Sequence, residues 1–245
     1  MVTAASLHPI LAIIPARGGS RGLPGKNVRR LGGLPLIAHS LRCAALCKEI
    51  DRTIVSTDSD EIASVARAHG GDVPFMRPAE LAGDETPMAP VLAHAVLEVE
   101  KAEGRRYETV ILLDPTSPGR LPGDVTEALR MLAADPAAHG VIAVSRPTFN
   151  PFWVGVVEKD GAMVPAFDTS KSYERRQDVP TFRRINGSLY VWRRDHVVLH
   201  KGPWHEHRHL PLEIPESRAF SIDDLYEFQV AELLLESRLL TLPWL

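Results

Sequence analysis

Residues 13–27 read IIPARGGSRGLPGKN: four glycines, three fixed cations and an asparagine directly behind a short apolar run. Glycines this close together let backbone approach a ligand, and Arg17, Arg21 and Lys26 suggest that the ligand is an anion. Successive N–H groups in such a turn, placed after a strand, form an anion-binding nest. Arg17 and Lys26 add charge that suits a triphosphate. Two familiar phosphate loops fail the spacing test. A G-x-x-x-x-G-K-[ST] loop would need glycine at Ser20 and a hydroxyl at Asn27, and G-x-G-x-x-G has no match. Neither a P-loop NTPase nor a dinucleotide fold is supported.

Further along, IVSTDSDEIASVA, RPAELAGDETP, LLDPTSP, RRQDVP, NGSLYV and FSIDD follow in order. With the glycine loop, this series resembles the acylneuraminate cytidylyltransferases (CMP-sialic acid synthetases), whose relatives activate other ulosonic acids. The resemblance covers nearly the whole chain. It implies a Rossmann-like, doubly wound, mostly parallel α/β sheet forming a single domain over 1–245, with a small inserted dimerisation lobe at 146–186. It also implies a reaction: CTP and a 2-keto sugar acid give CMP-sugar and pyrophosphate, with Mg²⁺, by direct attack of the anomeric hydroxyl on the α-phosphate. Ala16, Arg17, Gly18, Ser20, Lys26, Asn27, Arg77 and Thr86 would then surround the nucleotide. Arg17, Lys26 and Asp223 would be catalytic, and Arg176, Arg184 and Asn186 would face the sugar acid. Ser20 is either a hydroxyl donor at the leaving group or a plain turn residue. Arg77 is either a nucleotide contact or one half of a strand-end salt bridge.

Two positions depart from the family pattern. Relatives commonly carry glutamine at Asp114, and they often carry a pair of aspartates where this chain has Ser221 and Asp223. Mg²⁺ needs only one or two carboxylates when phosphates and waters complete its octahedron. Asp114 and Asp223 are therefore expected to share the metal. In the competing reading Asp223 acts alone and Asp114 turns to the substrate. Asp224 reads as a helix N-terminal carboxylate.

Other chemically suggestive residues carry less. Arg175, Arg176, Arg183 and Arg184 offer forks for a sugar carboxylate, but only one or two are expected to serve it. HEHRH (205–209) reads as surface histidines, because no closed zinc pattern accompanies it. Cys43 and Cys47, four apart on an expected helix, read as buried apolar-face residues, and Trp153 and Trp192 as core or interface residues.

The elements that must position these groups alternate. Strands are expected at 11–16, 52–58, 72–76, 109–114 and 140–145, with helices at 35–48, from Asp58 or Ser59 to Gly70, at 87–101 and at 123–133. Continuous apolar runs such as TVILL suit strands buried on both faces, hence a parallel sheet. Ligands of such sheets bind beyond the strands' carboxyl ends. The alternation breaks near 146 with two strands around Lys159-Asp160-Gly161, followed by a polar stretch. It resumes with GSLYVW (187–192), a short helix, RAFSI (218–222) as a strand and a last helix with a packed apolar face.

At 245 residues and 44% hydrophobic content, the chain can bury one sizeable core. A net charge of −3 argues against a nucleic-acid binder. No run approaches the ~18 apolar residues of a membrane span, so a cytoplasmic protein with no membrane partner is expected, and the family resemblance implies a homodimer. Two rivals remain open at this level: a sugar-1-phosphate nucleotidyltransferase on the same sheet, and a nucleotide-binding module without catalysis.

Overall fold

The computed structural model describes residues 7–167, 173, 175–199 and 207–245. The apolar run forms β1 (Ile10–Pro15), buried at every position. The glycine loop follows it and closes in a 3₁₀ turn over Lys26–Val28. A minimal hairpin, β2 (Arg30–Leu31) and β3 (Leu34–Pro35), leads into α1 (Leu36–Leu46). Cys43 and Cys47 are buried and unbridged there, as expected. Next come β4 (Arg52–Ser56) and α2 (Asp60–Ala68). Ser59 caps α2 by accepting from the Ile62 N–H, and Asp60 and Glu61 lie in its positive first turn.

Then follow α3 (Met88–Glu103), β5 (Thr109–Leu112), α4 (Pro122–Ala134) and β6 (Gly140–Ser145). The excursion contains α5 (Pro151–Val154) and the hairpin β7 (Val156–Lys159) and β8 (Ala162–Pro165). Asp160 and Gly161 sit at φ 52° and 76°. These are the two positive-φ positions that a tight hairpin requires, and Asp-Gly supplies them. The chain returns as β9 (Arg184–Arg193), α6 (Arg194–Leu199), β10 (His209–Glu213) and α7 (Leu225–Glu236).

The main sheet has the order β10-β6-β9-β5-β1-β4, with β9 antiparallel to both neighbours and the other pairs parallel. Helices cover both faces. α1, α2 and α4 pack one core with residues such as Ile14, Ile37 and Leu129, and α3 packs the other with Ile13, Leu92 and Val110. β1 pairs with β4 on one side and β5 on the other. Its carboxyl end is thus the point where strand order reverses, the crevice where open α/β sheets hold ligands.

Two expected strands are not strands. Residues 72–76 form no strand, making one isolated bridge between Thr57 and Met76 and accepting the Val55 N–H at the Asp72 carbonyl, because Pro74 has no N–H to give a ladder. RAFSI (218–222) crosses the strand ends as irregular chain, and its Ile222 N–H donates to the Thr116 carbonyl. The sixth strand is instead β10. Pro211 hid it from the sequence pattern, and an edge position tolerates a proline. His207 and His209 of that stretch, read from the sequence as surface histidines, meet the rings of His139 and His196 edge-on. His205 of the same motif lies outside the described residues.

α6 is fastened to α3 by Arg194 and Glu100, 2.6 Å apart, with side chains 11% and 12% exposed. Glu100 also accepts from the Tyr107 N–H. Removing Glu100 strips the nearly buried Arg194 of its buried partner and leaves it only the half-exposed Asp195 at 3.0 Å, which costs about 3 kcal/mol. Glu100→Ala should therefore lower the melting temperature by about 6–12 °C in calorimetry. A drop below about 1 °C would mean that water replaces the pair.

Candidate functional site

The glycine loop is pinned from two sides at the carboxyl end of β1. On one side the Gly18 N–H donates to Asp58 Oδ1 at 2.9 Å, just beyond β4. On the other, Gly22 lies so close to residue 223 that a Cβ there would sit 2.2 Å from the Asp223 carbonyl oxygen. Only a residue without a side chain allows that approach. Asn27 donates from Nδ2 to the Arg17 carbonyl at 3.1 Å and braces the loop internally. Ala16 is buried, and its N–H donates to the Ser56 carbonyl.

The cations are held in different ways. Lys26 is buried and donates from Nζ to Asp223 Oδ1 at 2.8 Å. Burial alone would raise the Asp223 carboxyl, but the hydrogen bond and charge of Lys26, with help from Ser221, hold it below the usual carboxylate range. Arg17 reaches the opposite wall, donating to the Gly83 carbonyl at 3.0 Å and pairing with Asp84 at 2.9 Å. Arg21 pairs with the same carboxylate. Arg77 is 6% exposed and hydrogen-bonds Ser56 instead of a carboxylate. Desolvation lowers its pKa, although the charge of nearby Asp58 works the other way. A buried guanidinium without a bound carboxylate is a ready seat for an external anion.

Arg17, Ser20, Lys26, Asn27, Arg77, Thr86, Asp114 and Asp223 all line one cavity of about 280 Å³. Among the ionisable residues of its lining, Arg17, Lys26 and Arg77 face Asp84, Asp114 and Asp223. Three cations against three carboxylates leave the wall neutral, so it does not by itself compensate a polyphosphate.

The two carboxylates expected to share a metal, Asp114 and Asp223, are connected through hydroxyl groups. Asp114 Oδ1 accepts from the Thr116 N–H and hydroxyl at 3.0 and 2.9 Å. Ser221 Oγ lies 3.2 Å from Thr116 Oγ1 and 3.1 Å from Asp223 Oδ2. Two hydroxyl protons serve these three hydroxyl contacts, so the chain runs from one carboxylate to the other with one contact short of a proton. Among the described residues no group of three His, Cys, Asp or Glu could hold a metal. Two carboxylates in a phosphate-sized cavity still fit a hard divalent cation that takes its other ligands from phosphate and water. Asp224 caps α7, accepting from the Glu227 N–H in a reciprocal capping box.

A second cavity, of about 390 Å³, opens from the first and shares Met88 and Asp114 with it. It runs along the sheet face between α3 and α6. Leu92, Leu112, Ile142, Ile185 and a stacked Tyr190–Trp192 pair, with ring centroids 5.0 Å apart, make its walls. Gly187, at φ 75°, forms part of the rim.

Other expected substrate residues stand outside both cavities. Arg184 is held by Glu216 at 2.9 Å and by the Ala219 carbonyl at 2.6 Å. Arg175 and Arg183 pair with Asp178 and Glu213. Arg176 opens a 3₁₀ turn, and its side chain lies outside the described residues. Asn186 is buried and turned inward, with Oδ1 accepting from the Ser188 N–H. The sequence reading missed Asp58, Asp84, Thr116 and Gly22. All four lie inside stretches quoted in the sequence analysis, and their placement depends on contacts across the cleft that spacing does not encode.

A profile of the cytidylyltransferase family matches residues 11–228. The chain is 32% identical over 232 residues to post-translational flagellin modification protein B of Campylobacter coli, covering 95% of this chain and 97% of that one. It is 33% identical over 226 residues to the CMP-N,N'-diacetyllegionaminic acid synthase of Campylobacter jejuni, covering 92% and 94%. In fold it matches the structure of CMP:2-keto-3-deoxy-manno-octonic acid synthetase complexed with CTP. That match has a TM-score of 0.71, 21% identity and coverage of 94% and 99%.

Proposed function

The chain belongs to the cytidylyltransferase family, and from that premise we propose that it transfers CMP from CTP to a 2-keto sugar acid of the nonulosonic type. The anomeric oxygen bonds to the α-phosphorus, the bridging oxygen departs with pyrophosphate, and the hydroxyl proton is lost to solvent. The observation that carries this reading is the pairing of buried Lys26 with Asp223 across the glycine loop, facing buried Arg77. Lys26, Arg17 and the loop amides hold the triphosphate and stabilise charge that builds on the departing pyrophosphate. Holding both substrates in line supplies on the order of 7 kcal/mol of barrier reduction.

The neutral wall argues for Mg²⁺, with Asp223 and Asp114 as its protein ligands. When bound, the cation would neutralise phosphate charge. Asp114→Asn separates this from the reading in which Asp114 serves only the sugar. The half-saturating Mg²⁺ concentration is expected to rise about tenfold or more, by analogy with other losses at metal sites. An unchanged requirement discards the shared ligand.

The acceptor lodges in the slot beyond Asp114. Apolar walls suit acyl and deoxy groups better than the hydroxyls of an octulosonate, because an unpaired buried hydroxyl is costly. This agrees with the diacetylated sugar in the name of the Campylobacter jejuni relative. A homodimer is supported by apolar side chains standing out from and around the β7–β8 hairpin, including Phe149, Trp153, Val156 and Met163, the last 80% exposed.

Pyrophosphate release, assayed with each of four nucleoside triphosphates and a panel of keto-acid sugars, tests the whole. Turnover with CTP and an N-acylated nonulosonic acid is expected. CTP binding without release under any acid would favour a non-catalytic module, and turnover with a sugar 1-phosphate would favour the other rival.

A further inference from the structure

Among the described residues Arg120 is the largest side chain buried to under 2% exposure, and no carboxylate there hydrogen-bonds to it. Asp124 on α4 is already engaged by Arg218 at 2.7 and 3.0 Å. Burial lowers the Arg120 pKa. Isolating a cation in this way is expensive, and an apolar side chain of similar volume would fill the space at less cost. A guanidinium kept here is explained by what its fork reaches.

Nη1 donates to the Ser188 carbonyl at 2.6 Å, on β9. Nη2 donates to the Asp114 carbonyl at 2.6 Å, just past β5, and to the Ser40 hydroxyl on α1. One planar group therefore ties three elements together at two peptide carbonyls. Asp114 and Gly187, the neighbour of Ser188, both line the slot. Arg120 touches none of Arg17, Lys26 or Arg77. Around it, Arg120 Nε, Ser117 Oγ, Asn186 Nδ2 and Ser188 Oγ are buried without hydrogen-bond partners. The wall between Asp114 and Gly187 thus rests on few contacts, and Arg120 supplies the short ones.

We infer that Arg120 is a positioning residue for the acceptor half of the site: it sets the spacing between Asp114, which the two cavities share, and the Asn186–Ser188 turn, and it makes no hydrogen bond to the glycine loop. The inference rests on the reading of the slot as the acceptor site. A lysine cannot reproduce it, because one ammonium lacks the flat fork that holds two carbonyls in fixed directions.

The test compares wild type, Arg120→Lys and Ser40→Ala, the last removing one partner of the fork, together with that hydroxyl's own long contact to the Asp114 carbonyl at 3.4 Å, without burying a new group. CTP affinity is measured by calorimetry without acceptor and without divalent metal, so that the metal-binding role of Asp114 does not enter, and KM for the acid and kcat by pyrophosphate release. For Arg120→Lys, KM for the acid should rise about tenfold and kcat fall about 10–100-fold, the effect of displacing a reacting group by about 1 Å. The CTP dissociation constant should stay within about threefold. Ser40→Ala should move the same constants in the same direction by less, and it decides the matter if Arg120→Lys does not fold. A purely structural role would lower the melting temperature while leaving the folded protein's constants unchanged, or would weaken CTP and acid in parallel; either result overturns the inference. A wild type that turns over no acid defeats the proposed function itself and this inference with it, a result distinct from an active wild type with unsplit variants.

Discussion

Lys26→Met is expected to lower kcat by about 10²–10³-fold, the usual loss when one preorganised donor to developing charge is removed. The fold should survive. Lys26 is buried, but its partner Asp223 has a side chain 68% exposed, so the carboxylate left behind is solvated and not stranded. The same geometry fixes the pH behaviour. Lys26 depresses the Asp223 pKa in the folded protein, so the pair's contribution to stability is complete above the unfolded value of about 3.9 and is lost as pH falls through the folded value below it. Near pH 7 the Asp223 carboxylate is ionised. Pyrophosphate-release rates for the variant and wild type should therefore run parallel between pH 6 and 8, separated by the full factor. Turnover within threefold of wild type would remove Lys26 from the phosphate cradle.

Gly22→Ala is expected to be as damaging for a different reason. Its Cβ would stand 2.2 Å from the Asp223 carbonyl oxygen, a backbone atom that cannot rotate aside. Either the loop or the segment carrying Asp223 must shift, and a shift of about 1 Å at a reacting centre costs about 10²-fold in rate. Overpacking of this kind also costs about 1–3 kcal/mol in stability. Gly19 is the control: nothing lies within 4 Å of a Cβ placed there, so Gly19→Ala should retain far more activity. Steady-state kinetics on the two variants check this. Equal losses would mean that the loop needs glycine for flexibility and not for close approach.

The contrast between these glycines shows what the sequence could and could not say. Their density announced a backbone-approach site, and the apolar run before them announced the strand that ends there. Which glycine approaches which atom depends on the irregular segment 218–224, which was expected to carry a strand. The β-branched and aromatic pattern of RAFSI suggested pairing, yet its backbone instead serves the turn at Thr116. That is how Asp223 reaches Lys26 from 197 residues away. The helices α2 and α7 were legible because their signals are local: Ser59 and Asp224 cap them where they stand. β10 was not, since Pro211 and the surrounding histidines mask a strand whose only partner is β6. Arg120 passed unnoticed for a similar reason. Its burial follows from the meeting of α1, β5 and β9, and nothing in PTSPGR distinguishes it from a solvated arginine.

Crystals soaked with CTP and Mn²⁺ in place of Mg²⁺, examined by anomalous scattering, test the central claim most directly. The phosphates should lie between the glycine loop and Arg77, with a metal peak about 2.1 Å from an Asp223 carboxylate oxygen. Nucleotide density away from the loop, or a metal bound to the phosphates without Asp223, would contradict the account.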